Sequence, residues 1–245
     1  MEYFKKLINK FRFLLVNIII TGIKFDRMNF VSFLQKKSHE KTYEILGEQF
    51  SNSLLFEDKH ELWDFVINQI TNEKLQSEAD KSNICLEFGV GGGESLRYFS
   101  KKLLKKNIKI VGFDTFFGNP QIWPGTNNQV GSSNQNGMPP KNLPANVEIV
   151  QGYIEETLQN YLETNQIKKI KFMHIDVNIY SAAKFILEIT KKYTDNNTLI
   201  LFDELINYPF WWNNGEYKAL AEVYSSSQYK YLALDHTKRA LIQLV

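Results

Sequence analysis

A glycine-rich stretch carries the residues of this sequence that are best suited to bind a cofactor. Glu87 is followed at alternate positions by Gly89, Gly91 and Gly93, and Ser95 lies just beyond them. An apolar run precedes the glycines and an amphipathic segment follows, so the pattern predicts a buried strand, a tight turn and a helix. Glycines in such a turn can adopt positive φ and let a ligand approach the main chain. We therefore predict a cofactor-binding loop rather than an ordinary strand-to-helix turn.

The spacing of the glycines distinguishes two classes of cofactor. A dinucleotide fingerprint requires Gly-x-Gly-x-x-Gly. Its third glycine would fall on Glu94 if the motif began at Gly89, and on Leu96 if it began at Gly91. A carboxylate at the start of the helix would also repel a diphosphate. The loop therefore favours a cofactor without phosphate groups.

Three more acids follow two later apolar runs. Asp176 comes directly after one predicted strand, and Asp203 and Glu204 come after the next. Parallel strands bring their carboxyl ends to one edge of a sheet, which would place these acids beside the glycine loop. Like charges held together repel unless a cation or protons intervene, and oxygen ligands suit a hard divalent ion such as Mg²⁺. The alternative is that each acid caps a helix or faces solvent.

Alternating apolar runs and amphipathic segments predict the elements that position these residues. The order indicates an α/β fold with a parallel sheet, helices on both faces and a C-terminal antiparallel hairpin. The predicted strands are Ile84–Phe88, Ile108–Phe113, Val147–Val150, Ile170–Ile175, Thr198–Phe202, Lys230–Leu234 and Ala240–Val245. The predicted helices are Glu57–Leu75, Glu94–Lys105, Ile154–Leu162, Ala182–Tyr193 and Glu216–Ser226.

Length and composition limit the number of domains, the class of substrate and the cellular compartment that we expect. The 245 residues suffice for one α/β domain, which we place at 57–245, preceded by a helical arm and connector at 1–56. With 29 basic and 27 acidic residues the net charge is +2, and the lysines are scattered, so nucleic acid is not the expected substrate. The single cysteine, Cys85, cannot form an internal disulfide, which suits a reducing, cytoplasmic location.

The arm has apolar residues at helical spacing, but its uninterrupted apolar run is too short to span a bilayer. Two interpretations stay open. The arm packs on its own domain or on a second copy of the chain, which would make a homo-oligomer, or it lies in a membrane interface with its basic residues toward the headgroups. We favour the packing arm.

Two aromatic-containing segments are candidates for contact with a second substrate. Five of the six prolines fall between Asp114 and Val147, and a loop of this length is typically functional or disordered. We predict a lid with Trp123 as a contact, the alternative being a polar insertion without function. Tyr208 and Trp211 lie on a later predicted loop and could stack on an acceptor, although core packing or a dimer contact is an equal alternative.

Several segments together resemble a known enzyme family. The stretch from Glu87 to Gly93 resembles the first motif of class I S-adenosylmethionine-dependent methyltransferases. Segments 111–120, 150–153, 174–180 and 202–209 are similar to those of the macrocin O-methyltransferases, metal-dependent class I enzymes that methylate sugar hydroxyls. The resemblance covers residues 57–245 and implies a Rossmann-like fold, S-adenosylmethionine and Mg²⁺. The family usually has an acid at the position of Phe117 and a second aspartate at that of Asn178, so the sequence departs from the family pattern at these two positions.

The resemblance also assigns residues. It implies cofactor contacts at Glu87, Gly89, Gly91, Gly93, Ser95, Asp114, Thr115, Gly152 and Tyr153, with Asp114 on the ribose and Gly152 and Tyr153 beside the adenine. Asp176, Asp203 and Glu204 map onto the metal ligands.

A mechanism follows from these assignments. A divalent ion that held two adjacent hydroxyls would lower the pKa of one and orient it toward the methyl group. Asp176 would be a ligand and the proton acceptor, with His174, two residues earlier on the same face of its strand, as the rival base. The expected acceptor is a sugar, glycan precursor or glycosylated natural product. The alternatives are a phenolic or other small-molecule hydroxyl, or a non-catalytic accessory protein that binds the cofactor.

Overall fold

The computed structural model of the protein describes residues 30–72 and 83–245. The strands are β1 Leu54–Phe56, β2 Asn83–Phe88, β3 Ile110–Asp114, β4 Val147–Gln151, β5 Lys169–Ile175, β6 Leu199–Phe202, β7 Tyr229–Asp235 and β8 Ala240–Leu244. The helices are α1 over residues 30–46, α2 Lys59–Thr71, α3 Glu94–Leu104, α4 Ile154–Thr164, α5 Tyr180–Thr190 and α6 Gly215–Val223. Short 3₁₀ helices follow α5 at Lys191–Tyr193 and precede α6 at Trp211–Asn213.

The strands form one sheet in the order β1-β7-β8-β6-β5-β2-β3-β4. Every pairing is parallel except the two made by β8, which runs against its neighbours β6 and β7. The carboxyl ends of the other strands therefore lie at one edge of the sheet, and the first residue of β8 lies at that same edge. The predicted α/β fold with its C-terminal antiparallel hairpin is confirmed.

Apolar side chains cover both faces of this sheet. Phe88 and Phe113 belong to one buried cluster, and Cys85 and Phe172 belong to a second cluster on the opposite face. Residues next to each other in a strand point to opposite faces, so a central strand with helices on both sides must be apolar at nearly every position. The continuous apolar runs of the sequence follow from this double burial.

The region before α2 contains more structure than the sequence predicts. Strand β1 is only three residues long, yet it extends the sheet by pairing in parallel with β7. Helix α1 packs against the body of the protein through Leu46, which is fully buried. Residues 1–29 of the predicted arm and connector and residues 73–75 at the end of the predicted helix lie outside the described residues. In the ranges 30–72 and 83–245, no helix has both the length and the apolar composition needed to cross a membrane.

The long segment between β3 and β4 folds back on itself without helix or strand. Main-chain hydrogen bonds close its turns, as between Asn119 and Ser132 and between Trp123 and Asn128. The side chain of Gln151, the last residue of β4, donates to the Gly137 carbonyl and holds the end of the segment against the sheet. The segment is thereby fixed over the carboxyl edge.

Candidate active site

A cavity of about 460 Å³ opens at the carboxyl edge of the sheet. Residues that follow β2, β3, β4, β5 and β6 line it, together with the first residues of α2 and part of the segment between β3 and β4. Its floor is the glycine turn, and Asp176 and Asp203 lie along one wall. The topology thus brings the glycine loop and two of the predicted acids into one cavity.

The glycine turn lies against the end of β5. Gly89 has φ +87°, and a Cβ atom there would lie 1.8 Å from the Asp176 carbonyl oxygen, so no larger residue fits. The positions of Gly91 and Gly92 are open, because a Cβ atom at either would meet nothing within 4 Å. The turn therefore packs closely on its sheet side and leaves space on its cavity side.

Asp114 is held by the main chain around it. One carboxylate oxygen accepts the Gly91 amide at 2.7 Å, and the other accepts the Phe116 amide at 2.7 Å. The carboxylate is thus fixed at the cavity wall between β2 and β3, and it has no cationic partner among residues 30–72 and 83–245. This geometry suits an acceptor of hydroxyl hydrogens such as those of a ribose.

Seven of the nine predicted cofactor residues line the cavity, and Glu87 and Gly93 do not. Glu87 is fully buried behind the turn, where it accepts a hydrogen bond from the Ser95 hydroxyl at 2.9 Å. A Cβ atom at Gly93 would lie 2.8 Å from the Pro140 ring, so Gly93 allows the segment between β3 and β4 to approach. These two residues support the loop from behind instead of facing the cavity.

The predicted acids do meet at this edge. Ligand atoms of His174, Asp176 and Asp203 all lie within 4.8 Å of one another. Glu204 lies near enough for its charge to act on Asp176. Burial and the repulsion of Asp203 and Glu204 raise the pKa of Asp176 well above its usual value. The acids of the cluster are therefore close enough to repel one another, and burial keeps water from screening that repulsion.

Arg239 is a cation of the cluster that the sequence analysis did not identify. Its Nε and Nη2 atoms donate to the two oxygens of Asp203 at 2.6 and 2.9 Å, and its Nη1 donates to Asp235 at 3.0 Å. Burial opposes ionisation of Asp203, but His174 and Arg239 outweigh it and lower the pKa of Asp203 to about 2. Asp203 is thus an ionised carboxylate with a bidentate partner.

Asp235 holds the turn that places Arg239 beside Asp203. One of its oxygens accepts the main-chain amides of Thr237, Lys238 and Arg239, which fixes the hairpin turn between β7 and β8. The register pairs Phe202 with Ala240, so the residues next to them, Asp203 and Arg239, face each other.

Glu204 and Glu216 form the rear of the cluster. Glu204 contacts Lys238 at 3.2 Å, and its main-chain amide donates to Glu216 at 3.0 Å. Burial and the charge of Glu204 raise the pKa of Glu216 well above its usual value. Glu216 has only a weak signal in the sequence, as an acid at the start of a predicted helix.

These residues fit a hard divalent cation. The donor set consists mainly of carboxylates, Asp176 has no ion-pair partner among the described residues, and an oxygen of Glu204 is buried without a hydrogen bond in the part of the chain that the structure describes. A cation would relieve the repulsion that raises the pKa of Asp176. The group whose ligand atoms lie together consists of His174, Asp176 and Asp203. It contains two of the three predicted ligands, and Glu204 is not part of it.

His174 has a different environment from the one expected of a base. It is fully buried and does not line the cavity. Its ring lies between Glu87 at 3.4 Å and Asp203 at 3.5 Å, and although burial opposes protonation, these two carboxylates raise the pKa of His174 well above its usual value. His174 is therefore shut off from the cavity in which a substrate would bind.

The predicted acceptor contacts require a correction. Trp123, Tyr208 and Trp211 are all buried in the core, and none of them lines the cavity. Trp211 is fully buried because α1 covers it, and its indole N–H donates to the Ser38 carbonyl. Trp123 packs edge-on against Tyr208, with ring centroids 5.2 Å apart. These aromatics support the site from behind and cannot stack on a ligand in it.

The segment that contains Trp123 nevertheless contributes to the site. Thr115, Asn119, Pro120 and Gln135 line the cavity. Residues that follow β5 add further polar groups, Asn178 and Ser181. The amide oxygen of Asn178 is buried without a partner among the described residues. These residues add amides and hydroxyls to the lining of the cavity.

Comparisons with known proteins agree with this architecture. Residues 86–205 match a family model described as a methyltransferase domain. A crystal structure of the calicheamicin methyltransferase CalS11 is 22% identical, with a TM-score of 0.60 over 87% of this chain and 89% of that chain. An apo structure of CalS11, described as a TDP-rhamnose 3′-O-methyltransferase, is 24% identical, with a TM-score of 0.53 over 87% of this chain and 91% of that chain. The structure of the O-methyltransferase NovP is 14% identical, with a TM-score of 0.54 over 76% of this chain and 78% of that chain.

At these identities the solved structures establish the fold. No protein among the curated sequences gives a significant match.

Proposed function

Residues 86–205 match a family model described as a methyltransferase domain, and on this basis we propose that the protein transfers a methyl group from S-adenosylmethionine to a hydroxyl of a sugar or glycosylated acceptor, assisted by Mg²⁺. One observation carries the proposal. The glycine turn that would hold the methyl donor and the carboxylate that would receive the proton meet in one cavity, where Gly89 contacts the Asp176 main chain.

The residues of the cavity fit the proposed cofactor. Its lining runs from Gly152 and Tyr153 after β4, past Asp114 after β3, to the glycine turn after β2. This order offers a place for the adenine, hydrogen-bond acceptors for the ribose and an open main-chain surface for the rest of the molecule. When bound, S-adenosylmethionine supplies a methyl group on a positively charged sulfur, and the adjacent acids stabilise that charge.

Asp176 and Asp203 would hold the divalent cation, with Glu204 beside them. A cation held by these residues would lower the pKa of a bound hydroxyl and orient it. Arg239 keeps Asp203 ionised and oriented through its two-point contact. His174 holds the other side of Asp203 and links it to Glu87 behind the glycine turn.

Asp176 then accepts the hydroxyl proton. The methyl group would pass to the acceptor oxygen as the O–H bond breaks, and the electron pair of the carbon–sulfur bond would remain on sulfur. The protein contributes chiefly by alignment, because the acceptor oxygen must approach the methyl group opposite the sulfur. The cavity wall at Asp176 and the turn at Gly89 are in direct contact, so the two reactants would be adjacent.

Two observations support a sugar as the acceptor. CalS11, which shares the fold, is described as acting on TDP-rhamnose. In addition, Asn119, Asn178 and Ser181 add hydrogen-bonding groups to the lining of the cavity. Hydroxyl-rich ligands require such groups.

Calorimetry followed by a transfer assay tests the proposal. The full chain is titrated with S-adenosylhomocysteine and, separately, with NAD, with and without Mg²⁺. Labelled S-adenosylmethionine is then supplied with a panel of nucleotide sugars, glycosides and simple phenols, and the position of any methyl group is determined by NMR. We expect S-adenosylhomocysteine to bind and NAD not to bind. We also expect Mg²⁺-dependent methylation of a sugar hydroxyl. Binding of NAD, or transfer to phenols only, would contradict the proposal.

A further inference from the structure

Lys59 is a cation in the cavity that the mechanism above does not use. It is the first residue of α2, and it lines the same cavity as the glycine turn. Its ammonium lies 2.7 Å from a Glu94 oxygen and 5.1 Å from the centre of the Trp63 ring. Glu94 and Trp63 also line the cavity. The three side chains form one wall, which we call the α2 wall.

Two basic side chains, Lys59 and Arg239, are found among the described residues that line the cavity. Arg239 is engaged by the carboxylates of Asp203 and Asp235, both of which are buried. Lys59 contacts Glu94, whose side chain is 69% exposed. Water can solvate a carboxylate this exposed, so the ammonium can exchange this partner at little cost. Lys59 is therefore the cavity cation that is available to a ligand.

The position of the α2 wall indicates which part of a ligand would reach it. The order of strands across the sheet is β4, β3, β2 and then β5, and the lining follows the same order from Gly152 through Asp114 to the glycine turn. Glu94 is the residue directly after that turn, and α2 packs on α3. A nucleoside bound over β4 and β3 would thus direct its far end toward Lys59.

We infer that the α2 wall recognises the amino-acid end of S-adenosylmethionine, with the Lys59 ammonium bound to its carboxylate. This inference rests on the proposed function. The amino-acid end carries one negative and one positive group, and the wall presents an ammonium beside a carboxylate, so Glu94 can accept the α-ammonium while Lys59 donates to the carboxylate. The face of Trp63 holds the Lys59 ammonium over the cavity by cation–π attraction.

Calorimetry with two ligands tests the inference on the full chain. S-adenosylhomocysteine contains the amino-acid end, whereas 5′-methylthioadenosine contains the nucleoside and sulfur without it. Lys59→Met should weaken binding of S-adenosylhomocysteine about tenfold, the value of one charge-assisted hydrogen bond at a partly exposed site, and leave binding of 5′-methylthioadenosine unchanged. Lys59→Arg should retain most of the affinity. Lys101→Met, which removes an exposed charge from α3, is the matched control.

Each other outcome overturns the inference. If Lys59→Met binds S-adenosylhomocysteine as tightly as the wild type does, Lys59 does not contact the cofactor. If Lys59→Met weakens the binding of both ligands equally, the substitution disturbs the cavity as a whole. A higher KM for the acceptor, with unchanged binding of S-adenosylhomocysteine, would assign Lys59 to the acceptor instead. If the wild type does not bind S-adenosylhomocysteine at all, the proposed function fails, and this result is distinct from the three above.

Discussion

The two sides of the cavity are built in opposite ways. On the β2–β3 side the site consists mostly of main chain, with an open glycine turn and one carboxylate satisfied by two amides. On the β5–β6 side it consists of ionisable side chains, where His174 and Arg239 compensate a group of buried acids. A few consecutive residues determine the first side. The second depends on residues that are far apart in sequence and meet only when the sheet is complete.

This difference separates binding from chemistry. A main-chain cradle can enclose a cofactor without committing charge, and its shape persists when side chains change. A charged cluster can orient a hydroxyl and receive a proton, but each of its members alters the pKa of the others. Substitutions on the β5–β6 side should therefore affect turnover more than cofactor affinity, and the two sides can be tested separately.

The largest expected effect is that of Asp176→Asn on turnover. The amide keeps the size of the side chain but cannot accept the hydroxyl proton, so methyl transfer should fall by at least about a hundredfold. Binding of S-adenosylhomocysteine, measured by calorimetry, should change by less than about threefold because the glycine turn is intact. Glu163→Gln, an exposed change on α4, is the control. Equal losses of affinity and turnover would show that the two sides are not separable.

Arg239→Gln should produce the largest loss of stability. It leaves Asp203 and Asp235 buried without their cation, and breaking a buried pair in this way costs about 3 kcal/mol in the free energy of unfolding. Urea unfolding followed by circular dichroism measures the loss. Lys238→Gln is the matched control, because it removes a neighbouring charge whose side chain is 36% exposed, and it should cost less than about 1 kcal/mol. Similar losses in the two variants would mean that Arg239 is not a buried structural cation.

The same contrast explains what could be predicted from sequence. The turn after β2 has a local signature, and the predicted strand Ile84–Phe88 and helix Glu94–Lys105 differ from the observed elements by one residue at one end. Arg239 has no such signature, because its place beside Asp203 depends on the antiparallel register of β8. Sequence pattern alone predicts a turn there and no contact with the acids.

The predicted acceptor contacts were wrong for a related reason. Trp211 lies on a loop close to the ligand edge, and aromatic residues on such loops often contact ligands. Its environment is set by α1, which is more than a hundred residues earlier and covers the indole ring. Composition could not distinguish a ligand contact from a core contact, because both call for the same residue type.

Gly89→Ala should couple the two sides of the cavity. The added methyl group would lie 1.8 Å from the Asp176 carbonyl oxygen at a residue with φ +87°, so either the turn or the end of β5 must move. We expect a loss of about 2 kcal/mol in the free energy of unfolding and a reduction of both affinity and turnover. Gly92→Ala is the matched control, since its methyl group meets nothing within 4 Å and should leave stability unchanged. If both variants were equally stable, the close contact between the turn and β5 would not exist in solution.

The smallest expected change concerns Cys85, which lies in β2 beneath the glycine turn and is fully buried. Burial raises the pKa of its thiol to about 12, so at pH 8 the folded protein contains almost no thiolate, and a disulfide reagent can react only after the strand opens. The native protein should show no measurable reaction over minutes, whereas the urea-unfolded chain, with its thiol near the ordinary pKa, should react at once. Saturating S-adenosylhomocysteine should slow any residual reaction further, because ligand bound at the turn must leave before β2 can open. Rapid labelling of the native protein would show that the main-chain side of the cavity opens readily on its own, and the contrast between a rigid cradle and an adjustable acid cluster would then have to be reversed.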